Sequence, residues 1–302
     1  MMKTSLKVVL SAAAAAALLV AGGAAHASKE ASSTPTQFQV AKASIRVKGA
    51  AGTGAAGTGI SYHGGPVMTS GITVYPIWYG NVSDSTKSVI SGFLGNVGGS
   101  SYFNINTTYN NSLNKFVQNS VTLSPLSYSD PKYSAGKALS DAAVQNLVKT
   151  ALKKALPTDP NGFYLVITAP DVTETSGFLT QYCGWHTYTR IGASAIKYSF
   201  VGDPTNGMSA CAQQTTSPNG NAPADAMVSV VAHELEEAAT DPQLNAWYDS
   251  YGYENADKCA WTFGTTSTAS NGSLYNVTIG SAQYLIQQNW VNAGSGGCAL
   301  SY

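Results

Sequence analysis

The chain has 302 residues, of which 11% are charged, and its formal net charge at pH 7 is zero. This composition provides no basic, aromatic-rich stripe of the kind that binds nucleic acid, so that class of protein is excluded. No segment beyond the N-terminus is apolar over enough residues to predict a membrane span. Hydrophobic residues make up 44% of the chain, which is sufficient for a large globular core.

The first 27 residues have the three parts of a secretory signal peptide. Lys3 and Lys7 carry the positive charge, residues 8–21 form a small-residue apolar run, and Ala25-His26-Ala27 matches the site cut by signal peptidase. The alternative, an uncleaved membrane anchor, needs a longer apolar run. We therefore expect a secreted, extracellular protein.

Residues 28–60 are predicted to be a linker. The stretch at 49–59 contains only glycine, alanine and threonine, a composition that buries little surface. The sequence therefore predicts a single globular domain at residues 61–302, and we expect it to be a monomer.

Strands and helices are predicted to interleave along this domain. Pro76 places the first strand at an edge of the sheet or bends it. Ser83 is followed by Asp84, which is predicted to cap the first helix, as Ser140 and Asp225 are predicted to cap the next two. The predicted strands are 72–79, 116–123, 163–168, 195–201, 274–279 and 283–290, and the predicted helices are 84–97, 140–155 and 225–240. Because this order lacks a strict β-α-β rhythm, the fold class is predicted to be α+β, with a mixed sheet and packed helices.

The four cysteines of the chain predict two disulfides, as expected for an exported protein with an even cysteine count. They are Cys183, Cys211, Cys259 and Cys298. Three pairings are possible, and Cys183–Cys211 with Cys259–Cys298 is favoured because it closes the shorter loops. No C-x-x-C pair is present, which argues against a zinc cluster of four cysteines.

Residues 198–257 contain no Lys or Arg, although acidic residues are frequent there. The carboxylates are Asp203, Asp225, Glu234, Glu236, Glu237, Asp241, Asp249, Glu254 and Asp257. Such a run is usually a solvated acidic face. However, Glu234 and Glu237 are like charges at i, i+3 in the C-terminal half of a helix, where mutual repulsion and the helix dipole both disfavour them. A bound cation, or a basic group from elsewhere in the fold, would offset this.

The sequence His233-Glu234-Leu235-Glu236-Glu237 carries the main chemical prediction. His233 and Glu237, at i, i+4, project from one helix face and can chelate a metal ion, while Glu234 can act as general base on a metal-bound water. This is the logic of the H-E-x-x-H zinc metallopeptidases, with Glu in place of the second His, and it predicts a zincin-like arrangement around the helix. The motif also occurs by chance on many amphipathic helices.

A metal site of this kind needs a third protein ligand. Asp257 and Glu254 follow Glu237 by an interval similar to that of the acidic third ligand in thermolysin-like enzymes, and His186 is another candidate. The ligand set favours zinc and leaves calcium, magnesium or manganese open, since carboxylates suit hard cations. His63, in a Gly-Pro turn, is a weaker candidate.

Several segments, in this order, resemble the EXORDIUM family, also called phosphate-induced proteins. They are Tyr62-His63-Gly64-Gly65-Pro66, residues 72–80, Tyr133-Ser134-Ala135-Gly136, residues 161–168 with Asp171-Val172, Cys183-Gly184-Trp185-His186, Asp225-Ala226-Met227, residues 232–242, Asn245-Ala246-Trp247-Tyr248, residues 254–259 and residues 284–290 with Cys298. Together they cover nearly all of the chain from Tyr62 onward.

The resemblance implies an extracellular protein linked to growth and cell-wall responses, without implying a settled activity. In the family the helix has the form H-E-L-x-E, so the Glu at the second ligand position belongs to the pattern. The alanine-rich signal and sparse cysteines resemble a bacterial-type member, and the additional cysteines that plant members carry near Cys183 and Cys211 are absent.

Two functional hypotheses follow from the sequence. The first is a secreted metal-dependent hydrolase, peptidase-like, acting on a peptide. The second is a non-catalytic, cell-wall-associated or signalling protein, with a cell-wall polymer as partner. In it the acidic helix binds a structural cation such as calcium or only satisfies buried polar groups.

Overall fold

The computed structural model describes residues 42–49 and 59–302. The predicted signal peptide lies outside the described residues, as does most of the predicted linker. The helices are α1 (Asp84–Leu94), α2 (Asp141–Lys154), α3 (Met208–Cys211) and α4 (Ala222–Thr240), and short 3-10 turns lie at Phe103–Thr108, Pro204–Gly207 and Asp257–Cys259.

The strands are β1 (Ala43–Arg46), β2 (Ser61–Tyr62), β3 (Ile72–Tyr79), β4 (Val121–Leu123), β5 (Tyr128–Asp130), β6 (Ala138–Leu139), β7 (Gly162–Thr168), β8 (Thr173–Glu174), β9 (Tyr182–Ile191), β10 (Ser194–Val201), β11 (Trp247–Tyr248), β12 (Ser267–Thr268), β13 (Leu274–Tyr275), β14 (Val277–Ile279), β15 (Ala282–Tyr284), β16 (Asn289–Val291) and β17 (Gly297–Ala299). The ten-residue strand β9 was not predicted. The two predicted C-terminal strands are instead divided among β13 to β16.

The main sheet has the order β1-β9-β10-β7-β3, with β4 and β5 both paired to the far side of β3. The strands β10, β7, β3, β4 and β5 run parallel to one another. The strand β9 is antiparallel to β10, and β1 is antiparallel to β9. The sheet is therefore mixed, and the predicted α+β class is confirmed.

Pro76 lies inside the sheet, so the prediction of an edge strand was wrong. The strand β3 pairs with β7 along one side through Thr73–Tyr79. On its other side β4 pairs with residues 72–74 and β5 with residues 77–79, which leaves Pro76 at the gap between them. Proline is tolerated there because its missing N–H falls where the neighbouring strand is interrupted.

The strand β1 adds an ordered edge to the sheet within residues 28–60, the range predicted as a linker. Ala43 pairs with His186 and Ser44 with Trp185, and Ile45 is fully buried. The linker prediction rested on the glycine-rich composition of residues 49–59, whereas residues 43–46 alternate in polarity, as an edge strand does.

Polar side chains cap the long helices, but two of the predicted caps were misplaced. Ser83, rather than Asp84, accepts a hydrogen bond from the Thr86 N–H at 3.0 Å. Asn221, rather than Asp225, accepts from the Ala224 N–H at 3.1 Å. In both cases the capping residue lies just before the first helical residue, with an extended backbone. The predicted cap of α2, Ser140, is confirmed.

The helices α2 and α4 cover opposite faces of the main sheet. In the β9–β10 pair, Ser199 is opposite His186, and the preceding residue, Tyr198, points to the other face. Gln145 of α2 donates a hydrogen bond to the Tyr198 hydroxyl, whereas His186 lies against α4. The helix α1 packs against α4. The sheet therefore brings His186 to the same layer as the predicted metal-binding helix.

Both disulfides have the favoured pairing. Cys183–Cys211 joins β9 to α3 and spans 28 residues, and Cys259–Cys298 joins the turn after Glu254 to β17 and spans 39 residues. The first fixes the strand that carries His186, and the second fixes the segment that carries Asp257. Two closed loops of this length each stabilise the fold by roughly 3–4 kcal/mol in the chain-entropy account.

Lys197 of β10 is expected to make the free energy of unfolding vary with pH in the alkaline range. Burial lowers the pKa of Lys197 to about 8, a shift that the charge of Asp159 only partly opposes. The folded state disfavours the charged ammonium, so Lys197 lowers the free energy of unfolding. This destabilisation is full at pH 7, decreases above pH 8, and vanishes above the unfolded pKa near 10.5. We expect Lys197→Met to be more stable relative to wild type at pH 7 than at pH 9.5, by up to about 2 kcal/mol. Urea unfolding of both proteins at the two pH values measures this, and a difference that does not change with pH contradicts it.

Candidate metal centre

The helix α4 is a core helix, buried on almost every side. Glu234, Glu236 and Glu237 are each 0% exposed. The interpretation of this acidic run as a solvated face is therefore wrong. Ionised carboxylates are this deeply buried only when they are paired or bind cations, because desolvating an unpaired charge costs several kcal/mol.

The first group of converging ligand atoms contains His233, Glu237 and Asp257. The His233 Nε2 lies 2.9 Å from the Glu237 Oε1 and 3.5 Å from the Asp257 Oδ1. The i, i+4 spacing on α4 brings the first two together, and the Asp257 backbone N–H donates to the Glu237 Oε1 at 3.0 Å. The three side chains each place a ligand atom within 4.8 Å of the others.

His186 brings a second set of carboxylates together. Its Nδ1 lies 3.2 Å from the Glu234 Oε2 and 3.4 Å from the Glu237 Oε2. Its Nε2 lies 3.3 Å from the backbone carbonyl of Asp241 and 3.8 Å from the Glu254 Oε1. All five residues that were proposed as ligands therefore lie in one cluster, together with Glu234.

The segment that carries Glu254 and Asp257 is held against α4 by a separate set of polar contacts. Asn255 donates a hydrogen bond to the Glu236 backbone carbonyl at 3.2 Å. The Glu236 side chain faces away from the cluster and accepts hydrogen bonds from Asn106 and Asn289. Burial raises the pKa of Glu236 well above its ordinary value. Burial therefore favours the neutral form of Glu236, whose hydrogen bonds are made outside the cluster.

The charges in the cluster strongly perturb one another. Burial alone would lower the pKa of His186, but hydrogen bonds and charges from Glu234 and Glu237 raise it to about 10. Burial would raise the pKa of Glu237, but His233 and His186 lower it to about 2. Burial and the negative charges of its neighbours raise the pKa of Glu254 well above its usual range. The cluster is thus a site of negative potential that retains protons where no cation is bound.

Several buried nitrogen and oxygen atoms of the cluster lack a well-aligned hydrogen-bond partner in the part of the chain that the structure describes and are free to bind a metal ion. Neither ring nitrogen of His233 makes a well-aligned hydrogen bond, and neither does the Glu237 Oε2, although all are inaccessible to solvent. Across the described ranges, 42–49 and 59–302, no Lys or Arg forms an ion pair with a carboxylate of the cluster. One histidine nitrogen with two carboxylates is a donor set that zinc accepts, and harder cations accept it as well.

Glu234, predicted as a general base, points toward His186 rather than into solvent. Its Oε2 is paired with the His186 Nδ1, and its Oε1 accepts a 3.5 Å hydrogen bond from the backbone N–H of Ile45. Burial raises the pKa of Glu234 to about 7, against the lowering effect of His186. His63 takes no part in the cluster, since it is exposed and stacks on Tyr248 with ring centroids 3.7 Å apart.

Asp241 is the member of the cluster that sequence reasoning missed. Its carbonyl faces the His186 Nε2, and its carboxylate accepts the backbone N–H groups of Asn245 and Ala246 at 2.6 and 2.7 Å. A signal was available, because Asp241 follows Glu237 by four residues and so continues the same helix face.

These features define the class of protein, an α+β fold with a buried histidine and carboxylate cluster beneath a mixed sheet. Residues 60–292 match the family described as "Phosphate-induced protein 1 conserved region". The chain therefore belongs to the phosphate-induced, or EXORDIUM-like, family.

Curated relatives from Arabidopsis thaliana agree with this assignment. The chain is 32% identical to Protein EXORDIUM-like 3 over 271 residues, which cover 76% of the chain and 80% of the relative. It is 30% identical to Protein EXORDIUM-like 5, over 76% of the chain and 75% of that protein. It is 26% identical to Protein EXORDIUM, over 75% and 73%. No solved structure matches. In the part of the chain that the structure describes, no helix combines the length and apolarity needed to cross a bilayer.

Proposed function

We propose that this protein is an extracellular, metal-dependent hydrolase of peptide-like bonds. The observation that supports the proposal is the convergence of ligand atoms from His233, Glu237 and Asp257. Buried atoms of His233 and Glu237 have no well-aligned hydrogen-bond partner among the residues that the structure describes. These residues would hold the ion, with zinc as the favoured metal and calcium as the alternative. A bound divalent ion supplies a Lewis acid that polarises a carbonyl and lowers the pKa of a bound water. The predicted zincin-like arrangement around α4 is part of this proposal.

The residues of the chain have separate roles in this proposal. Glu234, which is adjacent to His233 on α4, would accept the proton of the attacking water. The side chain of Asp257 is 15% exposed, whereas those of His233 and Glu237 are fully enclosed. A substrate would therefore approach from the Asp257 side.

Replacing Glu234 with Gln tests this role. We expect kcat for hydrolysis of a peptide substrate to fall by roughly 10²–10⁴-fold, while the ion bound through His233 is retained. The reason is that Gln keeps the shape of Glu but cannot take up a proton. Peptide-library cleavage, with metal analysis of the same samples, measures both quantities. The matched control is Glu236→Gln, a buried neighbour on the other side of α4, which should retain activity. Purified wild-type protein that binds no stoichiometric metal would refute the proposal.

The enclosure of the cluster favours a second candidate function, a non-catalytic wall-associated or signalling protein. His186, Glu234 and Glu237 are fully buried and Glu254 is 3% exposed, which suits a structural cation better than a site that turns over substrate. In that case chelation lowers the melting temperature by removing a ligand of the folded state alone. The pure protein then cleaves no peptide, and it binds a cell-wall polymer in a retention assay. Robust proteolysis excludes this candidate.

A further inference from the structure

The cluster contains a second group of converging ligand atoms that does not include His233. His186, Glu234 and Glu237 each place one atom within 4.8 Å of the other two, and all three are enclosed. They come from two different elements, β9 and α4, which the packing of the sheet brings together. The two groups therefore form side by side and have only Glu237 in common.

His186 is oriented as a metal-binding histidine is. Its Nε2 faces the Asp241 carbonyl at 3.3 Å, a contact that an Nε2–H donates. The Nδ1 faces the carboxylates of Glu234 and Glu237, and on losing its proton to a bound cation it would offer that cation a lone pair. A backbone carbonyl commonly fixes the tautomer and orientation of a ligating histidine in this way.

Glu237 offers a different oxygen to each group. Its Oε1 lies with His233 and accepts the Asp257 N–H. Its Oε2 lies 3.4 Å from the His186 Nδ1 and makes no well-aligned hydrogen bond, although it is buried. A carboxylate placed in this way can bridge two cations, one through each oxygen.

The charge balance leaves room for a second cation. Five carboxylates meet here, those of Glu234, Glu237, Asp241, Glu254 and Asp257. When bound cations displace the protons that these groups retain and both histidines are neutral, one divalent ion leaves a net charge of −3, and two leave −1. A second ion therefore removes most of the buried negative charge that the first leaves, since no Lys or Arg of the described residues pairs with these groups.

We propose that His186, Glu234 and Glu237 form a second divalent-cation site, joined to the His233 site by Glu237 as a bridging carboxylate. The proposal rests on the proposed function, because the His233 group is the first site. It also gives the second ion a regulatory role. An ion bound by Glu234 occupies the carboxylate that serves as general base, so excess metal inhibits hydrolysis.

Zinc titration of the full-length mature protein, stripped with a chelator, tests the proposal. Equilibrium dialysis with metal analysis should give two equivalents per chain for wild type. His186→Gln and Glu234→Gln should each bind one equivalent, whereas the matched control Glu236→Gln should bind two. Circular dichroism confirms that each variant is folded, and the two independent variants guard against misfolding of either one. If hydrolysis is measurable, excess zinc should inhibit wild type and leave His186→Gln uninhibited.

The outcomes separate the two proposals. One equivalent in wild type that survives His186→Gln and is lost in His233→Gln overturns the second site and leaves the proposed function intact. A folded His186→Gln variant that binds no zinc also overturns the second site, because the two groups would then hold one ion jointly. No zinc in wild type overturns the proposed function as well.

Discussion

Glu237→Gln should abolish zinc binding at both groups of ligands. Glu237 faces His233 through one oxygen and His186 through the other, so a single substitution removes the charge on which both groups depend. Loss of an outer-shell partner typically costs 10–100-fold in metal affinity, and loss of this shared ligand should cost more than about 100-fold. The same zinc titration measures the loss, and chelator should no longer change the melting temperature of the variant.

The isosteric change keeps the packing of α4, so the loss is expected to be electrostatic. Glutamine preserves the volume of Glu237 and an oxygen for the Asp257 N–H, which donates to it at 3.0 Å. Glu236→Gln is the control, because burial raises the pKa of Glu236 and its side chain accepts hydrogen bonds from Asn106 and Asn289. If Glu237→Gln binds as much zinc as Glu236→Gln does, Glu237 is not a ligand of either group.

The elements that the sequence predicted well have strong local signals. The strand at Ile72–Tyr79 and the stripe of α2 are set by apolar periodicity, and the disulfide pairing followed from loop length. The long strand β9 was missed because part of its burial comes from β1 and α4, which are distant from it in the chain. Its residues Thr187, Thr189 and His186 are polar yet buried, and only the sheet and α4 show why.

The candidate site was predictable along one helix and not across the sheet. The spacing of His233 and Glu237 follows from helix geometry, and Asp257 was placed by analogy with known metal enzymes. Nothing local indicates that His186 faces Glu234, because that contact depends on how closely β9 approaches α4. The register of β9 and β10 is set locally, because only two residues join Ile191 to Ser194. The approach of β9 to α4 depends instead on packing between segments that are distant in the chain. A second group of ligands could therefore be recognised only in the folded structure.

Gly184→Ala should both destabilise the protein and weaken the second group of ligands. A Cβ at Gly184 would lie 2.5 Å from the Val230 Cγ1 and 2.9 Å from the Phe200 carbonyl oxygen, closer than atoms approach without movement. It would also lie 3.4 Å from the Glu234 Oε1. Because the Phe200 carbonyl belongs to the sheet, α4 must move away from β9. Overpacking of this kind costs about 1–3 kcal/mol.

The movement should weaken zinc binding by the His186 group without weakening zinc binding by the His233 group. His186 lies on β9, so its distances to Glu234 and Glu237 lengthen, whereas His233 and Glu237 move together on α4. Urea unfolding of the metal-free protein should show the loss of stability, and zinc titration should show a weakened second equivalent with the first retained. Gly297→Ala is the matched control, since a Cβ there meets nothing within 4 Å. A Gly184→Ala protein that matches this control in stability and in zinc binding would show that β9 and α4 tolerate the extra methyl group, and that their close approach does not set the geometry of the His186 group.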